Sequence, residues 1–207
     1  MPVVLRLERE PPHRSAVLAA AAAAPLAVCL DPRAEPGGEW HESLALWIGT
    51  QPPAGRIRKI ARRARGAHWT VVQDLPGVTV DVGGAQVRAL LPGPVDEVPR
   101  VVARLQIGGT DLEPDDPGPV PAGAVAIWLN PTVEMTVGKA AAQVGHASML
   151  LAAERGLIAV PWFAVRQAAP ARWPELRVAV DCGAAVAVRD AGFTEVEPGT
   201  ITCIATP

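Results

Sequence analysis

The chain has 207 residues, enough for one long α/β unit or two of about 100 residues, and either size can bury a core. Its 19 Lys and Arg stand against 21 Asp and Glu, which excludes a polycation built to coat nucleic acid, so any RNA contact has to be local. The three cysteines, Cys29, Cys182 and Cys203, are odd in number and lack CxxC spacing; neither a disulfide framework nor a zinc knot is expected, and a reducing cytoplasmic setting is the default.

Val3 to Leu7 reads as a strand. Ser15 to Leu30 is nearly all apolar, follows Arg6, Arg9 and Arg14, and ends in Leu26-Ala27-Val28-Cys29, a loose imitation of a lipoprotein cleavage site. Glu8 and Glu10 among the arginines, the bulky Val28 and the interrupting Pro25 argue for a buried alanine-rich helix over Arg14 to Val28. The run is also shorter than the roughly 20 residues a bilayer span needs, and no membrane partner is expected. Leu44 to Ile48 then reads as a strand, Gly55 to Ala67 as a helix, and Thr70 to Val72 and Val87 to Leu91 as strands.

Gly108 to Gly123 mixes glycine, proline and acid without apolar periodicity, the composition of an exposed connector. It divides the chain into residues 1–107 and 124–207. In the second part Ala124 to Leu129 is strand-like and Gly138 to Glu154 helical. Val160 to Val165 reads as another strand, and Arg172 to Cys182 as a short helix with Pro174 near its start and Gly183 past its end. Ala184 to Val188 and Thr200 to Ala205 complete a β-α-β-α-β-β order.

The same order can be laid over residues 1–107. Gly77 to Pro92 aligns without a gap on Gly192 to Pro207, placing Gly77, Thr79, Gly84 and Pro92 on Gly192, Thr194, Gly199 and Pro207. An internal duplication into two tandem small α/β domains is the expectation, each with a mixed four-stranded sheet and helices on both faces. The six tryptophans, Trp40, Trp47, Trp69, Trp128, Trp162 and Trp173, are assigned to packing.

On a helix from Gly138, Lys139, Gln143 and His146 fall at i, i+4 and i+7 and share one face. The plain alternative is the solvated side of an amphipathic helix. Against it, Lys139 stands in the first turn, where the macrodipole disfavours a cation; free backbone N–H groups beside it suit an anion or a developing oxyanion. Asp190 ends an apolar strand, Gly192 allows a sharp turn, and Thr194 and Thr200 present hydroxyls around Pro198-Gly199. Loops at strand carboxyl ends are the usual ligand sites of α/β sheets, so Asp190 is expected to meet the start of the Lys139 helix.

The strings GKAAAQVGHA at Gly138 to Ala147 and DAGFTEVEPGT at Asp190 to Thr200 together resemble the type 2 peptidyl-tRNA hydrolases, over about Val125 to Pro207. The resemblance implies a small mixed-sheet α/β fold, hydrolysis of the ester joining a peptide to the terminal ribose of tRNA, and no metal or organic cofactor. Carried over by position, it implies a catalytic set of Lys139, Gln143, His146, Asp190, Thr194 and Thr200. Phe193 stands where the family pattern has an arginine. Gly93 to Ile107 resembles the helical tail that follows the last strand in that family.

Residues 1–107 lack the site: Leu18 and Ala21 fall near Gln143 and His146, and the gapless alignment sets Leu75 and Ala85 against Asp190 and Thr200. Six cations, Arg56, Arg58, Lys59, Arg62, Arg63 and Arg65, instead fall on the helix expected over Gly55 to Ala67. They are assigned to tRNA phosphates, the alternative being an ordinary solvated face. Two fused copies imply an internal pseudo-dimer and a monomeric molecule, since the resembled family commonly pairs as homodimers. The competing functional reading is a non-catalytic tRNA- or protein-binding module of the same fold.

Overall fold

The alternating short apolar runs and longer helical stretches of this chain produce an α/β protein, described by a computed structural model at residues 1–49, 60–192 and 195–207. The first half contains β1 (Pro2–Arg6), α1 (Arg14–Cys29), α2 (His41–Gly49), β2 (Ile60–Ala64), α3 (Gly66–Val72), β3 (Gly77–Val82), β4 (Ala85–Leu90) and α4 (Arg100–Ala103). The second contains β5 (Val125–Leu129), α5 (Val137–Arg155), β6 (Phe163–Gln167), α6 (Trp173–Asp181), β7 (Val186–Arg189) and β8 (Ile201–Thr206).

Each half forms a mixed four-stranded sheet, ordered β2-β1-β4-β3 and β6-β5-β8-β7. In both, the first two strands pair in parallel and the other two contacts are antiparallel. The repeat expected from the element order is therefore present in strand order and pairing sense.

The two domains share one core. Helix α1 packs on β3 and β4 of its own sheet and on β6 of the other, while α5 packs on β7 and β8 and on β2. Eleven of the 16 residues of α1 are buried, Ala19 to Ala24 among them, which a helix touching only one neighbour would not need. Small side chains let α1 and α5 run side by side, and the Ser148 hydroxyl donates 2.6 Å to the Ala22 carbonyl across that contact. Val3, Leu5 and Val87 join Ile127, Val144 and Cys203 in a single apolar cluster. Full burial of each such side chain contributes about 1.5–3 kcal/mol. The outer faces are covered separately: Trp69, Val72 and Val102 lie against Val4, and Leu176 against Trp128.

Several expected elements change type. Leu44 to Ile48 lies within α2, where Leu44 and Trp47 are buried and Leu46 and Ile48 exposed, a spacing of three that a five-residue apolar run does not reveal. The helix expected over Gly55 to Ala67 is strand β2 at Ile60–Ala64, with residues 55–59 outside the described residues. Pairing with β1 decides this: Ala61 faces the shared core and Ala64 the outer cluster. Thr70 to Val72 is the end of α3, its Trp69 and Val72 buried together. Strand β6 begins at Phe163, leaving Val160 and Trp162 exposed, so Trp162 is not a packing residue. The segment expected to be an exposed connector is anchored at three points. Thr110 is buried and accepts from Gly138 N, Asp115 accepts from Ser15, and Arg166 donates to the carbonyls of Pro117, Gly118 and Pro119.

The strand register also revises the internal alignment. Val82 pairs with Ala85 across the two-residue turn Gly83-Gly84, both glycines having positive φ as such hairpins require. The corresponding closing pair in the other sheet is Asp190 and Thr200, whose N–H and carbonyl meet at 2.9 Å. Asp190 thus occupies the place of Val82, not of Leu75, and residues 191–199 enlarge what is a tight turn in the first half. The register then slips by one, Val188 pairing with Cys203 and Arg189 with Ile201. Thr202 is the extra residue, so a gapless alignment puts the following residues on the wrong face.

Candidate active site

Helix α5 is started by Thr136, whose hydroxyl accepts from Lys139 N at 3.2 Å, and stopped by Gly156 in the left-handed conformation. Docking of its face on β7 and β8 carries Lys139 and Gln143, one turn apart, to the end of β7. There Lys139 Nζ lies 2.5 Å and Gln143 Nε2 2.8 Å from Asp190 Oδ2. Gly192 N donates to Oδ1 at 2.8 Å. The expected meeting of Asp190 with the Lys139 helix is found.

The ion pair is enclosed: the Lys139 and Asp190 side chains are 10% and 6% exposed. Such burial removes both charges from water, a cost that the attraction offsets only when further hydrogen bonds complete the geometry. Gln143 and Gly192 supply them here. The Gly199 N–H in addition donates to the Asp190 backbone carbonyl at 2.7 Å, tying the far end of the loop to the Asp190 main chain.

Thr202 is the residue that motif reading passed over. Fully buried, it donates its hydroxyl to Gln143 Oε1 at 2.7 Å and so turns the amide with Nε2 toward Asp190. Its signal is a polar residue in an apolar strand, ITCIAT, which alone does not name a partner. Glu195 is a second addition: its carboxylate accepts from Thr136 N at 3.0 Å and from Thr136 Oγ1 at 2.8 Å, fastening the site loop to the start of α5.

The other expected residues divide. His146 lies three residues beyond Gln143 on α5 and is half-buried, and Thr200 joins the hairpin through its backbone. Thr194 and Phe193 lie outside the described residues. The backbone donors expected to be free at the start of α5 are engaged, Gly138 N with Thr110 and Lys139 N with Thr136. Among the described residues no three of His, Cys, Asp and Glu are grouped to hold a metal ion.

The six cations do not share a helix face. Arg56, Arg58 and Lys59 lie outside the described residues, and Arg62 and Arg63 are neighbours on strand β2, projecting to opposite faces. Arg62 donates to the carbonyls of Ala103 and Leu105 at the end of α4, and Arg63 to that of Gly109. Arg65 is exposed at the N-cap position of α3.

The fold and this cluster define an α/β protein of two repeated mixed sheets with a buried Lys–Asp–Gln constellation in one of them. No protein-family model, curated protein or solved structure matches the chain. Among the described residues no helix is long and apolar enough to cross a membrane.

Proposed function

We propose that the protein hydrolyses the ester between a peptide, or an N-blocked amino acid, and tRNA, acting as a cytoplasmic monomer whose first half replaces a partner subunit. The observation carrying this reading is the convergence of Lys139 and Gln143, 51 and 47 residues away in sequence, on the Asp190 carboxylate. Asp190 has three described donors, and a carboxylate has about four acceptor positions. The fourth orients a water. Asp190 takes its proton as the oxygen attacks the ester carbonyl carbon, and Lys139 stabilises both the ionised carboxylate and the developing oxyanion. Collapse breaks the bond to the ribose oxygen, which leaves with the proton, releasing free tRNA and the acyl carboxylic acid. Thr194 and Thr200 donate to substrate or water, and His146 supports the helix face.

A single-turnover assay with N-acetylated aminoacyl-tRNA tests this. Release of free tRNA is expected from the natural protein, with a loss of at least about 100-fold in Asp190→Asn. Normal turnover in that variant overturns the assignment. The enclosure of Lys139 and Asp190 favours one competing reading, a module that binds tRNA or protein without reaction. Under that reading tRNA binds and no ester is cleaved. Arg56, Arg58, Lys59 and Arg65 are proposed to contact tRNA phosphates, Arg62 and Arg63 being committed to carbonyls. Reversing those four charges should weaken tRNA binding and flatten its salt dependence.

A further inference from the structure

Beside the Lys139–Asp190 cluster lies a cleft of about 870 Å3, bounded by the start of α1, the connector, the β5–α5 loop and the end of β6. That volume is within the range of about 300–1,000 Å3 usual for ligand sites. Thr136, three residues before Lys139, and Glu195, five after Asp190, form its border with the cluster. The first half contributes Arg14, Ser15 and Leu18, so both domains line the cleft.

The wall chemistry selects among occupants. Asp111, Asp115, Glu134 and Glu195 supply four carboxylates against the guanidinium groups of Arg14 and Arg166, and among the described residues no lysine or aromatic ring lines the cleft. A nucleic-acid strand needs cations for phosphates and flat side chains for bases, and finds an excess of neither. Arg166 is already held by three connector carbonyls. The remainder is apolar, from Leu18, Leu129, Val133, Met135 and Val165, interrupted by polar groups. Apolar surface with scattered acceptors and a negative balance suits a peptide chain, neutral or basic in side-chain character.

We infer that this cleft holds the peptidyl part of the substrate, and that it selects neutral and basic acyl chains over acidic ones. The inference rests on the hydrolase reading for its substrate, and on the cleft itself for its chemistry.

Two measurements separate this inference from the hydrolase reading. The first compares single-turnover rates, at limiting substrate, on one tRNA carrying N-acetyl-methionine or N-acetylated tetrapeptides that are neutral, lysine-containing or glutamate-containing. The second follows binding of the same tetrapeptides, fluorophore-labelled and without tRNA, by anisotropy. Asp111 and Glu134 are exposed and outside the catalytic set, so Asp111→Lys/Glu134→Lys tests the charge, with Asp111→Asn/Glu134→Gln as a milder step. Neutral and lysine-containing chains are expected to react and bind better than the glutamate-containing one. The Lys variant should shift that preference roughly five- to tenfold toward the acidic chain, the Asn/Gln variant by less. Hydrolysis of every substrate at one rate, unchanged in both variants, overturns the cleft assignment and leaves the hydrolase reading intact. Charge-dependent peptide binding without any ester cleavage overturns the hydrolase reading and supports the cleft as a peptide site. Absence of both peptide binding and cleavage overturns the two together.

Discussion

Asp190 takes hydrogen bonds from Lys139, Gln143 and Gly192 in a largely enclosed setting, so its removal has a structural consequence as well as a chemical one. Asp190→Leu alone leaves the Lys139 charge buried without its counter-ion and is expected to lose about 3–5 kcal/mol of stability. Asp190→Leu combined with Lys139→Met removes both charges and should recover most of that loss, measured by urea unfolding; a double variant as unstable as the sum of the singles would contradict the pairing. Thr202→Val keeps the shape and removes the donor to Gln143 Oε1. It should slow ester cleavage about tenfold or more while Thr202→Ser restores it, because only the hydroxyl orients the amide. Cys203 offers a test by pH. Burial pushes its thiol up to about 12, so the folded state retains a proton that the unfolded chain loses near its ordinary value of 9.0. Stability should therefore fall as pH rises from about 9 to 12, by up to about 1.4 kcal/mol per unit, and Cys203→Ala should remove that slope.

At the scale of elements, the start of α5 is where helix, loop and connector are joined. The Thr136 hydroxyl caps Lys139 N and donates to Glu195, while Thr110 takes Gly138 N. Thr136→Ala should cost about 1 kcal/mol through the lost cap, with a larger effect on turnover than on unfolding because it also removes one of the two hydrogen bonds that hold Glu195. Turnover unchanged in that variant would show that the Thr136 hydroxyl does not position the loop. The enlargement of the β7–β8 turn has the same logic. Where Gly83-Gly84 reverses the first sheet tightly, nine residues separate Asp190 from Thr200 in the second, and Gly192 among them donates to Asp190. A helix and a turn were both legible in GKAAAQVGHA and DAGFTEVEPGT, since spacing along a helix and glycine at a turn are local properties; the enlargement of that turn was not. Thr202 was not, because its importance arises from an added residue in the strand register that only pairing with β7 reveals.

At the scale of the whole molecule, two sheets and two long helices contribute to one apolar cluster, so the halves are not separable in energy. Unfolding followed by far-ultraviolet circular dichroism and by tryptophan fluorescence should give coincident single transitions; two separated transitions would contradict the shared core. Overpacking the contact with Ala22→Leu should destabilise both halves together by about 1–3 kcal/mol. The amino-acid sequence by itself determined the α/β class, the two-part repeat, the long helices and the Lys139–Gln143 spacing, because these follow from local periodicity and chain order. Only the tertiary structure decided that Leu44 to Ile48 is helical and that the arginines of Ile60–Ala64 lie on a strand, since the partner surface chooses between conformations that a short segment allows equally. It also decided that the connector is laid across both domains, and that Asp190 stands in the place of Val82, because register and docking are set by contacts distant in sequence.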